Sequence, residues 1–128
     1  MKIVVLHGSP KGEQSVTMQY VRYLEKKLPG HTWTEVQTAS QISKLEKDAD
    51  EFARVIALVR EAEMVLWSFP LYRLLVPAQM KRFVELVAER GVQDSFFGKY
   101  SAAIMTSIHY YDHTARNYIH AVSEDLGM

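Results

Sequence analysis

The sequence contains no cysteine. Within these residues that excludes a disulfide framework, a cysteine-ligated zinc site, an iron–sulfur cluster and a cysteine nucleophile. No metal site is expected. Neither sign of charge is in excess: 15 basic residues balance 15 acidic ones, for a formal net charge of +0. A polyanionic partner normally shows as a basic excess, so nucleic acid is not an expected ligand. Long hydrophobic runs are also missing. The N-terminal apolar run stops at His7, too soon for a signal peptide. No stretch approaches the roughly 18 apolar residues of a membrane span. The expected location is therefore the cytoplasm, with no membrane partner. There is no internal repeat, low-complexity stretch or flexible linker. What remains is 128 residues, 48% of them hydrophobic, which suits one domain over 1–128 with a real core.

The start of the chain carries the strongest signal. Residues 2–6 read as a buried strand, and His7-Gly8-Ser9-Pro10-Lys11-Gly12-Glu13-Gln14-Ser15-Val16-Thr17 follows at once. An amphipathic helix then begins. A strand, a polar loop with two glycines and a helix start make an anion-binding arrangement, because free N–H groups and the helix dipole converge there. Ser9, Ser15 and Thr17 add hydroxyls, and Lys11 adds a positive charge. The expected ligand group is a single terminal phosphate. There is no G-x-x-x-x-G-K-[ST], so a P-loop NTPase is not indicated, and no G-x-G-x-x-G follows the strand. The plainer reading is a turn at Ser9-Pro10-Lys11-Gly12, with Ser15 capping a helix.

Short apolar runs alternate with helical periodicity along the rest of the chain. Ile3-Val4-Val5-Leu6 is rich in β-branched residues, as a strand buried on both faces requires. Helical spacing over 16–28 ends at the breaker pair Pro29-Gly30. Residues 31–36 alternate and read as an outer strand. A helix is expected over 48–62, a strand over 64–69, and a helix over 77–89 with Pro77 in its first turn. A fourth strand is expected over 100–106. The last helix, over 114–126, has Asp112 or Thr114 near its N-cap and stops at Gly127. This βαβαβαβα pattern predicts an α/β parallel sheet with helices on both faces and right-handed crossovers. Ligands in such sheets lie beyond the carboxyl ends of the strands.

Three loops leave those ends, over 8–16, 69–76 and 107–113. The second, Phe69-Pro70-Leu71-Tyr72-Arg73-Leu74-Leu75-Val76-Pro77, is apolar and aromatic, unlike a solvated loop. Its Pro70–Arg73 end suits the wall of a pocket for a flat apolar ligand, with backbone N–H groups bonding the ligand edge. Leu74, Leu75 and Val76 suit a subunit interface. The third loop, Ser107-Ile108-His109-Tyr110-Tyr111-Asp112-His113, is dense in aromatics and imidazole. His109 and Tyr110 or Tyr111 are the candidates for ligand contact, and Asp112 reads better as a helix cap. His7, at a strand end, reads as a core histidine, and the scattered methionines read as core filler.

Taken together, Gly8-Ser9-Pro10-Lys11-Gly12 … Ser15-Val16-Thr17 and Trp67-Ser68-Phe69-Pro70-Leu71-Tyr72 … Val76-Pro77-Ala78-Gln79-Met80-Lys81-Arg82-Phe83 resemble the flavodoxin-like NAD(P)H-dependent FMN reductases and quinone reductases. The resemblance covers essentially the whole chain. It implies a three-layer flavodoxin-like fold with strand order 2-1-3-4. The fifth strand of that pattern is missing, so the chain reads as a single flavodoxin-like domain truncated at its C-terminal side. It also implies FMN as cofactor and NAD(P)H as co-substrate. Ser9, Lys11, Ser15, Val16 and Thr17 would hold the phosphate. Pro70, Leu71, Tyr72 and Arg73 would border the flavin ring, and Ser107, Ile108 and His109 would sit at its other edge. Electrons would leave to a small-molecule acceptor such as a quinone, an azo compound or free flavin, or to an iron–sulfur partner. No catalytic side chain is assigned; His109, Tyr72 or Tyr110 are the candidates for a proton relay. An unpaired edge on the fourth strand invites pairing, so a homodimer or higher oligomer is expected. Three other readings stand beside this one. A non-enzymatic flavodoxin-type carrier fits the fold, although such carriers are usually acidic. A flavin-free oligomerisation or regulatory module would tolerate loss of Ser9 and Lys11. A receiver-like domain would need an acidic pair near the first strand end, which is absent.

Overall fold

The computed structural model describes residues 1–108 and 112–128. Four parallel strands make one sheet: β1 (Lys2–His7), β2 (Thr32–Val36), β3 (Met64–Pro70) and β4 (Tyr100–Thr106), in the order β2-β1-β3-β4. The helices are α1 (Val16–Lys27), α2 (Ile42–Lys47), α3 (Ala49–Glu61), α4 (Ala78–Glu89) and α5 (His113–Asp125). Short 3-10 turns cover Gly12–Gln14 and Gln93–Phe96. The expected α/β architecture and sheet order are those observed.

The apolar runs of β1 and β3 lie at the centre of the sheet, where both faces are covered. Ile3, Val4, Val5, Leu6, Val65, Leu66, Trp67 and Phe69 are all buried. Alternate residues point to opposite faces. Val4, Leu6, Val65, Trp67 and Phe69 enter a large core with buried residues of α3, α4 and α5, among them Phe52, Ile56, Met80, Phe83 and Ile119. Ile3, Val5 and Leu66 enter a smaller one, which α1 closes with Met18 and Val21. The register pairs Leu6 with Trp67 and His7 with Ser68, so the strand ends that carry the first and second loops lie side by side. Buried Met18 and Met80 do fill core space.

Four local expectations need correction. Helix α2 was not foreseen: it has six residues and one buried apolar side chain, Leu45. Pro77 stands at the N-cap of α4, just outside its first turn. Asp112 occupies the N-cap position of α5, and Ser15 that of α1, but neither side chain makes a capping bond. Val76 is buried in the chain's own core, so only Leu74 and Leu75 of the proposed interface triplet are exposed. Asp48, by contrast, caps α3 by accepting from Asp50 N–H at 3.1 Å and Glu51 N–H at 3.0 Å.

Candidate functional site

The first loop leaves the central strand at His7 and turns sharply. Gly8 N–H donates to the Ser68 carbonyl at 2.7 Å, which holds the loop start against β3. A Cβ at Gly8 would lie 2.6 Å from Met80 Cε and 2.9 Å from Phe69 Cβ, so the close approach needs glycine. Gly12, at φ 57°, supplies the left-handed turn that brings the chain back towards α1. Its N–H donates to the Ser9 carbonyl at 3.2 Å, and its carbonyl accepts from Ser15 N–H at 3.1 Å. Lys11 N–H donates to Ser9 Oγ at 3.2 Å. The loop is thus a closed ring of local bonds with buried Ser9 and Ser15 on its inside.

The N-terminus of α1 then faces an open space. Ser15 does not cap the helix, and the N–H groups of Val16 and Thr17 have no acceptor among the described residues. These are the orphan donors that every helix start leaves, and they favour an anion. Across from them stand the ends of β3 and β4. A cleft of about 270 Å³ lies between, lined by Ser9, Lys11, Gln14, Ser15, Val16, Pro70, Leu71, Tyr72, Thr106, Ser107 and Ile108. One end offers hydroxyls, an ammonium and free N–H groups. The other offers proline, leucine, isoleucine and an aromatic ring. Such a donor set fits a phosphate on a flat, largely apolar body. The free N–H groups of Ser107 and Ile108, which have no acceptor among the described residues, fit a polar edge on that body.

The structure therefore brings nine of the twelve expected site residues to one cleft, namely Ser9, Lys11, Ser15, Val16, Pro70, Leu71, Tyr72, Ser107 and Ile108. Thr17 is placed differently. It is fully buried, and its hydroxyl shares a 2.7 Å hydrogen bond with Thr106 Oγ1. Only its backbone N–H is left for a ligand. Arg73 does not line the cleft; it stands at the tip of a tight turn closed by the antiparallel bridge between Tyr72 and Leu75. His109, with Tyr110 and Tyr111, lies outside the described residues. Gln14 and Thr106 were not singled out from sequence. Thr106 is legible only once β4 is seen to end beside α1.

The second loop also differs in which donors it offers. Leu71 N–H already donates to the Thr106 carbonyl at 2.9 Å, and Tyr72 N–H to the Leu75 carbonyl at 3.2 Å. The N–H groups of Arg73, Leu74 and Val76 have no acceptor among the described residues, and those of Arg73 and Leu74 lie at the tip of the turn. These two residues have φ of 49° and 77°, left-handed backbone without glycine. Strained backbone of this kind concentrates at ligand sites.

Behind the first loop lies a second polar layer. His7 is fully buried, and its Nδ1 is 2.8 Å from Gln37 Oε1. Burial pushes its pKa below the ordinary histidine value, against smaller opposing effects of the Gln37 bond and the Glu35 charge. Ser40 Oγ also donates to Gln37 Oε1, at 3.4 Å.

Comparison with known proteins points one way. The model of the family described as NADPH-dependent FMN reductase matches residues 1–127. No curated protein matches the chain. Among solved structures, the apo form of the NADH:FMN oxidoreductase EMOB superposes with a TM-score of 0.81 at 17% identity, covering 99% of this chain and 70% of that one. FerB, an NAD(P)H:(acceptor) oxidoreductase from Paracoccus denitrificans, gives 0.77 at 20% identity, covering 98% and 72%. An FMN-dependent NADH-azoreductase from Bacillus anthracis str. Ames Ancestor, solved with FMN, gives 0.65 at 14% identity, covering 100% and 83%. At these identities the superpositions speak for the fold.

Proposed function

The chain belongs to the NADPH-dependent FMN reductase family, and from that premise we propose that the cleft between α1 and the ends of β3 and β4 is its FMN site. Membership makes the chain an NAD(P)H-dependent FMN oxidoreductase with FMN as cofactor. Our reading adds the residues and the acceptor class. The observation that supports it best is the division of one cleft into an anion-binding end and an apolar end.

Each residue then has a task. The N–H groups of Val16 and Thr17, with the hydroxyls of Ser9 and Ser15, bind the terminal phosphate. Lys11 neutralises its charge. Pro70, Leu71 and Tyr72 form the wall against the ring and exclude water from it. Ser107 and Ile108 present backbone donors to the ring's polar edge, where negative charge is favoured. When bound, FMN supplies the redox chemistry, accepting reducing equivalents from NAD(P)H and passing them on. We assign no protein side chain as acid or base. The acceptor we propose is a small, flat molecule such as a quinone or free flavin, because the apolar wall at Tyr72 lies beside exposed Leu74 and Leu75. We further propose that a second copy of the chain covers the outer edge of β4.

The test is spectroscopic. The purified chain is incubated with excess FMN, desalted and scanned in the visible range. Retained flavin bands and NAD(P)H oxidation with a quinone acceptor are the expected results. Lys11→Ala should weaken FMN about tenfold, the scale of one charge-assisted phosphate contact. Loss of all flavin on desalting, with no saturable binding in titration, would sink the assignment. Retained flavin without NAD(P)H oxidation would favour a carrier.

A further inference from the structure

We propose that His7 is a positioning residue for the phosphate loop, with Gln37 holding its ring and Gly8 carrying its position into Ser9 and so to the two serines that face the cleft; the inference rests on the FMN reading above.

The hydrogen-bond polarity comes first. Gln37 Oε1 is an acceptor, and it already receives the Ser40 hydroxyl at 3.4 Å. His7 Nδ1, 2.8 Å away, must therefore carry the hydrogen. Neutral imidazole then leaves Nε2 as a bare lone pair, and Nε2 is buried with no hydrogen-bond partner among the described residues. A protonated ring would bury an N–H with nothing to accept it. Only the neutral Nδ1–H tautomer fits, so the ring can act as a donor to Gln37 in one orientation.

The same residue grips the neighbouring segment through its backbone. The His7 carbonyl accepts from Thr38 Oγ1 at 2.8 Å and from Ala39 N–H at 3.1 Å. Thr38 and Ala39 are buried. Residues 37–40 are thus fixed to His7 from the side chain and from the main chain. This segment stands behind the phosphate loop. A Cβ added at Gly12 would meet Gln37 Oε1 at 3.8 Å and Ser40 Oγ at 3.9 Å, so the two lie about one side-chain atom apart across the space glycine leaves open. Gly12 in turn bonds Ser9 through its N–H and Ser15 through its carbonyl. Gly8 alone separates His7 from Ser9, so a ring freed from Gln37 shifts the entry to the loop, and Ser9 carries that shift to Gly12 and Ser15 through these bonds. A site held to within a fraction of an ångström needs such support behind the groups that touch the ligand.

A purely packing role makes a different prediction. Leucine has a volume near that of histidine and buries no polar group. If His7 only filled space, His7→Leu would leave binding intact. The experiment measures dissociation constants of FMN and of riboflavin, which lacks the phosphate, by flavin fluorescence. The proteins are wild type, His7→Leu, His7→Asn, Gln37→Leu and the His7→Leu/Gln37→Leu double variant. We expect His7→Leu to weaken FMN about tenfold or more, the scale for a lost supporting partner, with riboflavin changed less than about twofold. Asparagine can donate from the place of Nδ1, so His7→Asn should recover most of the FMN affinity. Gln37→Leu should match His7→Leu, and the double variant should add nothing further. Gln37 is half-buried, so its variant carries the test if His7→Leu does not fold. Equal losses for FMN and riboflavin, no loss at all, or no recovery with asparagine would each overturn the proposal. A wild-type chain that binds no FMN would instead overturn the cofactor assignment, and this inference with it.

Discussion

Burial decides the charge state of His7, and the decision has a pH signature. Its native pKa is lowered, first by desolvation, from the ordinary value of 6.5. The unfolded chain takes up a proton near that ordinary value, and the native chain does so only at lower pH. Between the two values the unfolded state binds more protons, so stability rises with pH there. The contribution is complete above about pH 7, declines as pH falls through 6.5, and levels off once native His7 also titrates. Urea midpoints of the cofactor-free chain, measured from pH 7.5 to 5, should fall further for wild type than for His7→Asn. Parallel curves for the two proteins would remove His7 from the pH response. None of this was legible in the sequence, where a histidine at a strand end reads as core. The bond to Gln37 spans 30 positions and exists only because β1 and β2 are neighbours. Thr17 teaches the same lesson. Its hydroxyl looked like a phosphate ligand because it sits at a helix start, but its partner, Thr106, is 89 positions away.

The turn between β3 and α4 stores strain where the cleft opens. Arg73 and Leu74 occupy consecutive left-handed positions, which cost an ordinary residue about 1–2 kcal/mol each. The bridge between Tyr72 and Leu75 and the stiff residues Pro70 and Pro77 hold the turn in place. Asparagine tolerates this backbone, and Leu74 is 46% exposed, so little packing is lost on replacing it. Leu74→Asn should therefore stabilise the chain by about 0.5–1 kcal/mol, read as a higher urea midpoint at unchanged slope. A lower midpoint would mean that Leu74 packs more than it strains. The composition of this loop announced that it was not an ordinary solvated one, but its hairpin form is invisible without coordinates, since glycine and asparagine, the usual left-handed residues, are absent from it. The strands and long helices were legible because their apolar periods are clean and their stops explicit. Short α2 was not: a single buried leucine gives no period to read.

The β4 edge of the sheet bears on assembly, and its contrast with the central strand beside it shows how open it is. β3 is buried along almost its whole length, whereas β4 is half-exposed, and its outer side has no paired strand among the described residues. A groove of about 510 Å³ runs between β4 and α5 on one face, past Trp67 and Ile119. Another, of about 660 Å³, runs between β4 and α1 on the other, past Tyr20, Tyr23 and Ile104. An open, apolar edge of this length favours pairing. Antiparallel pairing of β4 with its own copy, about a two-fold axis normal to the sheet, would bring the two α5 helices together in opposite directions. Arg116 and Glu124 both border the first groove, two turns apart along α5. Such a two-fold would set Arg116 against Glu124 of the second copy, and the reverse, and the surface would then be complementary to itself. Light scattering over a concentration series should show a dimer mass. Glu124→Arg would place like charges across the axis and weaken the dimer about tenfold or more. Adding Arg116→Glu to that variant restores the opposite-charge pairing and should restore the dimer. A monomer mass at the highest concentration, or a Glu124→Arg variant as dimeric as wild type, would rule out this mode of association.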